Sequence, residues 1–218
     1  MPPKIVTEHE RAITRHNIME QTMKLIVKNN GINCFTVDSI AKSVGISKGS
    51  FYSYFISKEE CIHAVIEESC KNDMLALEDI FNENIPLSEK VFKFVKNVFL
   101  GENGLARYIE QSEYELVLNK LPPVYRNNDE NYYHNTLKSM MEILDLERKI
   151  VETVLIMLGS IGDIANNEKL NQDIKDEAIK AIIYGIAKYI EENSKQNHSY
   201  SSEFKIIPMQ ELIWLNGF

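Results

Sequence analysis

The sequence has no long apolar run, and its cysteines are few and widely spaced. No apolar stretch reaches the roughly eighteen residues of a membrane-spanning helix, and the opening residues hold no apolar run of the kind found in signal peptides. The three cysteines, Cys34, Cys61 and Cys70, include no C-x-x-C pair, and an odd number argues against a disulfide framework. We therefore expect a cytoplasmic protein, not associated with a membrane, whose thiols are buried and structural.

Motifs for catalysis and metal binding are absent as well. The sequence contains no phosphate-binding G-x-x-x-x-G-K-[ST], no nucleophile motif G-x-S-x-G and no zinc-binding H-E-x-x-H. Its five histidines are scattered, without the H-x-x-x-H or Cys/His spacing of metal ligands. We therefore expect a protein that is not an enzyme and that carries neither a metal nor another cofactor.

Proline and glycine are scarce, at six and nine of 218 residues, and apolar residues recur with the 3.6-residue period of helices. The one stretch with some strand character is FKIIPM, residues 204–209, so the fold class expected is all-α. A first helix is predicted over residues 8–29, with Gly31 ending it. Two short helices are predicted to begin at Val37, after the N-cap Thr36, and at Lys48, after the N-cap Ser47. The capping box Ser57–Glu60 predicts a long helix over residues 58–81. Further helices are predicted over residues 87–100, 107–121, 132–146, 147–165 and 174–193, with the polar residues 126–131 as a link.

Two of these predicted helices are short and are joined by the segment VGIS, residues 44–47. A glycine between two short helices is typical of a helix-turn-helix, whose second helix lies in a DNA major groove about 12 Å wide. Gly49 costs about 1 kcal/mol relative to alanine inside a helix, which a close approach of the backbone to DNA would explain. Phe51 and Phe55 are predicted to point inward, and the outward face would carry Lys48, Gly49, Ser50, Ser53 and Tyr54.

Charge is distributed unevenly along the chain. Residues 1–58 contain eight Lys and Arg against four Asp and Glu, a net charge of +4. The formal net charge of the whole chain is −8, so the remaining residues carry a net charge of −12. Screening over roughly 8–10 Å allows such a basic segment to meet a phosphate backbone without much penalty from distant acidic residues. The pattern favours nucleic acid as the partner of the N-terminal segment.

The stretch GINCFTVDSIAKSVGISKGSFYSYFISKEECI, residues 31–62, resembles the DNA-binding region of the TetR family of one-component transcriptional regulators. Val44 stands where that family usually has alanine, and Tyr54 stands where histidine is frequent. The landmarks that carry the resemblance are Gly31, Thr36, Ile40, Ala41, Gly45, Ser47, Gly49, Tyr52, Phe55 and Lys58. It implies a three-helix helix-turn-helix domain over residues 1–58 and a larger helical domain for effector binding and dimerisation over residues 59–218.

The resemblance also implies roles for individual residues in binding double-stranded operator DNA. Lys48, Gly49 and Ser50 would face the groove. Tyr52 and Tyr54 would lie along the flanking phosphates, which helix N-termini also favour. The full set of candidate DNA-binding residues is Thr36, Ser47, Lys48, Gly49, Ser50, Tyr52, Ser53, Tyr54 and Lys58.

One helix-turn-helix reads one half-site, so we expect a symmetric homodimer on DNA. The last two strong helices are the expected interface, and the resemblance implies that they form a four-helix bundle across the dimer; a role in the monomer core alone is the alternative. The candidate interface residues are Leu158, Ile161, Gly162, Ile182, Gly185, Ile186 and Tyr189.

Between these regions the sequence is rich in aromatic and methionine side chains, which suit an apolar pocket with a few orienting polar groups. Plain core packing is the alternative for each of them. The candidate effector-binding residues are Phe92, Phe99, Tyr108, Glu113, Tyr133, His134 and Met140. The acidic character of the region favours a cationic or neutral effector. The C-terminal tail, residues 198–218, is expected to pack over this domain as a helix or strand, or else to dock a partner.

Together these inferences predict a dimeric, sequence-specific transcriptional regulator, a repressor released from its operator by a small molecule. Two alternatives stay open. The first is a DNA-binding regulator of the same fold that is controlled by a protein partner or by its abundance. The second is a small-molecule carrier or an enzyme whose DNA-binding segment is a relic.

Overall fold

The computed structural model describes residues 7–101 and 104–194. Every regular element in these two ranges is helical, which confirms the all-α prediction, and none of their helices is long and apolar enough to cross a membrane. A 3₁₀ turn, Leu105–Arg107, lies between the fifth and sixth α-helices. The α-helices are α1 (Glu8–Asn29), α2 (Val37–Val44), α3 (Lys48–Phe51), α4 (Lys58–Asn82), α5 (Leu87–Val98), α6 (Gln111–Asn119), α7 (Pro123–Leu144), α8 (Arg148–Ala165) and α9 (Gln172–Asn193).

The chain folds as two compact units, each with its own apolar core. The head unit comprises residues 7–72 and 104–130, and the body unit comprises residues 73–101 and 131–194. Ile18, Ile26, Ile40, Phe51 and Phe55 are fully buried in the head core. The body core is built from the remainder of α4 and α7 together with α5, α8 and α9. The functional boundary at residue 58 stays a prediction.

Two predicted helix boundaries were wrong, both in the segment that completes the head unit. The helix predicted over residues 107–121 begins only at Gln111, after the 3₁₀ turn. The polar link 126–131 is part of α7. It is helical because its polar side chains have partners: Asp129 accepts a hydrogen bond from the Tyr114 hydroxyl, and Arg126 pairs with Glu115 at 3.1 Å.

The end of α1 differs from the prediction by one residue. Asn30, not Gly31, takes the left-handed conformation, with φ 50° and ψ 48°. Its N–H donates to Val27 O, and the N–H of Gly31 donates to Ile26 O at 3.0 Å. Asparagine tolerates this conformation better than most residues. Gly31 follows at φ 145°, also in a region that favours glycine.

The three cysteines are not equivalent, which corrects the prediction that all are buried. Cys34 is exposed in the loop between α1 and α2, Cys70 is half-buried, and Cys61 is fully buried. Burial raises the pKa of the Cys61 thiol to about 12, and its sulfur lies 3.3 Å from the hydroxyl oxygen of Thr22. Cys61 is therefore a structural thiol, as predicted.

Several candidate dimer residues belong to the core of a single chain. Leu158, Ile161 and Ile186 are 3% exposed or less, and Gly162 is also buried. Gly185 faces the neighbouring helix of its own chain, because a Cβ there would lie 3.4 Å from Met157 Cε. Glycine and isoleucine recur at the spacing of a helix face in either case, so the sequence does not separate intrachain from interchain packing. Ile182 and Tyr189 are half-buried against the body core.

The C-terminal tail, residues 198–218, and the FKIIPM segment within it lie outside the described residues.

Candidate nucleic-acid interface

Local hydrogen bonds fix both ends of α2. Thr36 caps its N-terminus in a capping box: the Ser39 N–H donates to Thr36 Oγ1 at 3.3 Å, and the Thr36 N–H donates to Ser39 Oγ at 2.9 Å. At the C-terminus Gly45 adopts φ 76° and ψ 27°. Its N–H donates to Lys42 O, and the Ile46 N–H donates to Ala41 O. This left-handed glycine turns the chain sharply toward α3.

α3 begins at the predicted N-cap, where Ser47 Oγ accepts from the Ser50 N–H at 3.0 Å. Phe51 and Phe55 point inward, as predicted, at 0% and 1% exposure. They hold the opposite face of the helix and of the following turn in solvent. That exposed face carries Lys48, Gly49, Ser50, Tyr52 and Ser53, with Tyr54 half-buried beside it.

The turn after α3 is anchored by α1, which sequence reasoning missed. The Arg11 guanidinium donates to the backbone oxygen of Ser53 and lies 5.5 Å from the centroid of the Tyr54 ring. One turn further along α1, the Arg15 guanidinium lies 4.5 Å from the centroid of the Phe55 ring. The spacing of the two arginines, i and i+4 on α1, was the feature of the sequence that could have indicated this contact. They bring positive charge to the predicted DNA-facing surface.

Lys48, the first residue of α3, has an acidic partner on α2. Its ammonium nitrogen lies 3.4 Å from Asp38 Oδ1, and both side chains are about half exposed. No sequence rule for helical ion pairs predicts this contact, because the residues are ten apart on different helices.

Lys58 contacts its own domain rather than projecting into solvent. Its ammonium donates to Ile32 O at 3.0 Å and to Phe35 O at 3.1 Å, and lies 5.0 Å from the Phe35 ring centroid. Burial lowers its pKa below the usual value. Lys58 thus joins the loop before α2 to the start of α4. A phosphate contact by its side chain stays a prediction, and it would use the remaining N–H.

α4 is also joined to α6 and α7 within the head unit. The Tyr125 hydroxyl donates to Glu60 Oε1 at 2.7 Å, and this bond is the main reason why the pKa of Tyr125 rises to about 12. His63 is 2% exposed, packs against the Tyr114 and Tyr125 rings, and leaves its Nε2 without a hydrogen bond. These contacts join α4, α6 and the start of α7 within the head unit.

The candidate effector residues are divided between the two units. Tyr108 and Glu113 belong to the head unit, where Glu113 Oε1 accepts from Asn33. Tyr133 and His134 are exposed on α7. In the body unit Met140 lines a cavity that is partly open to solvent, and all of its lining residues are apolar. They are Leu77, Phe81, Val91, Phe94, Met140, Leu144, Val154, Leu158, Ile186 and Ile190.

The described residues contain no group of three or more His, Cys, Asp and Glu side chains that could hold a metal ion.

Comparison with known proteins agrees with this geometry. The model of bacterial regulatory proteins of the tetR family matches residues 18–65, which include α2, α3 and the start of α4. The head of this chain is therefore similar to bacterial regulatory proteins of the tetR family.

Curated relatives resemble this chain over about a third of its length. An uncharacterised HTH-type transcriptional regulator of Bacillus subtilis, YvaF, is 35% identical over 75 residues, which is 34% of this chain and 38% of the relative. The nucleoid occlusion factor SlmA of Actinobacillus pleuropneumoniae is 34% identical over 67 residues, or 31% of each chain. The chain therefore aligns with about a third of the length of these relatives.

Solved structures extend the similarity to the whole fold. A tetR-family transcriptional regulator from Streptomyces coelicolor has a TM-score of 0.58 and 14% identity, covering 82% of this chain and 80% of its own. A TetR regulator from Legionella pneumophila has a TM-score of 0.54 and 19% identity, covering 87% of this chain and 98% of its own. At such identities the likeness establishes the TetR fold and nothing about a ligand.

Proposed function

We propose that this protein is a sequence-specific DNA-binding transcriptional regulator of the TetR family that inserts α3 into the major groove. The observation that carries the proposal is the exposed polar face of α3, with Lys48 at its start, held outward by buried Phe51 and Phe55. The small side chains of Gly49, Ser50 and Ser53 allow close approach to DNA. The N-termini of α2 and α3 favour phosphate oxygens.

The proposed active form is a homodimer, since two heads are needed to read two half-sites about 34–36 Å apart. The surface we propose for self-association is the exposed side of α8 and α9. It includes Ile156, which is 76% exposed, together with Gly159, Ala181 and Tyr184. Large exposed apolar side chains beside small residues suit close helix packing against a second copy. Of the residues predicted from the sequence, Ile182 and Tyr189 stay candidates for the edge of this surface.

We further propose repression that is relieved by a small apolar molecule bound in the body cavity. The cavity offers no polar side chain, so the part of the ligand that enters it would be uncharged. This differs from the expectation of a cationic effector, which rested on net charge alone. Binding would favour a body conformation in which the two heads no longer fit adjacent major grooves.

The proposed function is tested by selecting from a library of random duplexes of about 30 base pairs, long enough for two half-sites. The purified wild-type chain should enrich a sequence with two related half-sites. Affinity for the enriched duplex should fall steeply from about 50 to 200 mM salt, as expected of phosphate contacts. Enrichment of no sequence would contradict sequence-specific binding and would favour a relic DNA-binding segment.

The effector proposal has its own test on the same complex. A series of primary alcohols, from hexanol to decanol, would be added to the protein bound to the enriched duplex. We expect one chain length to raise the melting temperature of the free protein and to release the DNA. The variant Leu158→Met, which keeps the cavity lining apolar, should respond to the alcohols. Release of no DNA by any alcohol would favour control by a protein partner.

A further inference from the structure

We infer that Asp38 is a specificity-determining residue of the DNA interface, acting by holding Lys48 and so lowering affinity for non-cognate DNA. The inference rests on the proposed function. Asp38 lies in the first turn of α2 and Lys48 is the first residue of α3, and their side chains approach within 3.4 Å. The pair spans the two helices of the helix-turn-helix.

The sequence around the pair makes it unusual. Asp38 is the only acidic residue between Glu20 and Glu59, in the segment expected to face a polyanion. Lys48 is the only basic residue between Gly45 and Ser57. The single carboxylate of residues 21–58 therefore lies beside the single long cation of α3 and its following turn.

Helix stability alone does not explain an acid at this position. A carboxylate in a first turn is favourable by the helix dipole, but the capping box of Thr36 and Ser39 already satisfies N–H groups at this end. Serine, threonine or asparagine would avoid placing negative charge near DNA. The cost of that charge is offset if the carboxylate acts on Lys48.

The carboxylate acts on Lys48 in two ways. It partly neutralises the ammonium, so that Lys48 contributes less to sequence-independent attraction by phosphates. It also fixes the direction of a flexible side chain that would otherwise reach any nearby phosphate, whereas specificity depends on contacts to base edges. Both effects weaken binding to non-cognate DNA more than binding to the operator.

The test compares affinities for two probes, the duplex enriched by the wild-type chain and a shuffled duplex of the same composition. The variant is Asp38→Asn. The matched control is Glu20→Gln, which removes one negative charge from an exposed carboxylate that pairs with Lys24 at 2.7 Å on α1. Circular dichroism melts of each variant show whether the head remains folded.

We expect Asp38→Asn to strengthen binding to the shuffled duplex roughly threefold to fivefold, the upper part of the range that corresponds to an exposed ion pair. Binding to the enriched duplex should not strengthen, so the specificity ratio falls. The slope of log affinity against log salt for the shuffled duplex should become more negative by about 0.9, since one more cation meets phosphate. In the background Lys48→Gln, the same change should alter shuffled-duplex affinity less than twofold, because little remains for Asp38 to act on.

Three results would overturn the inference. One is an equal effect of Asp38→Asn and Glu20→Gln on the specificity ratio, which would show that Asp38 acts only through the net charge of the protein. Another is an undiminished effect of Asp38→Asn on shuffled-duplex affinity in the Lys48→Gln background, which would show that Asp38 does not act through Lys48. The third is an unchanged salt slope. Failure of the wild-type chain to enrich any sequence would instead overturn the proposed function, and the inference with it.

Discussion

Lys58 uses two of its three N–H donors on carbonyl oxygens of the loop before α2. The Arg11 guanidinium likewise donates to the backbone of the turn after α3. Basic side chains in this head thus do two jobs, since they join its helices as well as supplying positive charge. The net charge of +4 for residues 1–58 therefore overstates the positive charge on the surface proposed to face DNA. Lys48 is left as the long cation that α3 itself presents.

Asp73 makes stability depend on pH. Burial raises its pKa from 3.8 to about 6, so the folded state favours the protonated carboxyl. A raised folded-state pKa contributes stability that is complete below about pH 4 and is lost as the pH rises through about 6. We expect Asp73→Asn to raise the free energy of unfolding by about 1–2 kcal/mol at about pH 7.5, with partial solvent exposure allowed for, and to change it little at about pH 4.

Urea unfolding of wild type and Asp73→Asn at both pH values measures this difference. The control is Asp79→Asn, at an exposed position on the same helix. A gain of the same size at both pH values would show that the effect is not caused by protonation.

Which residues of α3 are buried and which are exposed was predictable, but the partners of the polar side chains were not. Caps and the inward positions of Phe51 and Phe55 follow from local spacing, and the structure shows both. The partner of Lys48 is ten residues away on another helix, and the partner of Tyr125 is 65 residues away. Such contacts depend on tertiary packing, which the pattern of a single sequence does not encode locally.

The two glycines of the helix-turn-helix have opposite conformational roles. Gly45 adopts a left-handed conformation, and a Cβ added there would meet nothing within 4 Å. Gly49 lies inside α3 without positive φ, and a Cβ there would meet Ser47 Oγ at 3.8 Å, an ordinary contact. Alanine is therefore strained at the first position and suits the second.

We expect Gly45→Ala to destabilise the protein by about 1–2 kcal/mol, the cost of a left-handed alanine. Gly49→Ala should stabilise it by about 0.5–1 kcal/mol through helix propensity. If the backbone of α3 approaches DNA closely, Gly49→Ala should nevertheless weaken binding to the enriched duplex. Thermal melts and anisotropy titrations of the same preparations measure both quantities. If Gly49→Ala is more stable and its affinity for the enriched duplex is unchanged, the backbone of α3 does not approach DNA closely at this position.

Helices with clear caps were predicted to within a residue or two, whereas α6 and α7 were not. The helix over residues 8–29, the short helices after Thr36 and Ser47, and the two last strong helices all agree with the structure. α7 begins nine residues before the predicted start at residue 132, because Tyr125 and Asp129 bind side chains of α4 and α6. Without knowledge of these partners, the polar residues 126–131 are predicted to form a loop between helices.

The body unit combines an apolar core with exposed apolar side chains on its last two helices. The predicted interface residues Leu158, Ile161 and Ile186 fill the core, and Ile156 and Tyr184 are left at the surface. The sequence alone does not separate the buried face of α8 from the exposed one, because both faces carry isoleucine and glycine; an interface on α8 and α9 stays a proposal. Self-association through the exposed face is the simplest way to cover it.

We expect the wild-type chain to sediment as a dimer and Ile156→Arg to sediment as a monomer. A charge at this exposed site costs little in the single chain but cannot be buried between two copies. The matched control is Leu116→Arg, at a residue of the head unit that is 61% exposed. Analytical ultracentrifugation at several concentrations measures the three proteins. Dimers of Ile156→Arg as stable as wild type would place the interface elsewhere.

The proposal that α3 binds DNA through its exposed face is tested most directly by the affinity of Lys48→Ala for the enriched duplex. The control is Lys138→Ala, which removes an exposed lysine from α7 in the body unit. We expect fluorescence anisotropy to show roughly tenfold or greater weakening of DNA binding for Lys48→Ala. Lys138→Ala should bind as wild type does. Equal affinities for the two variants would contradict the claim.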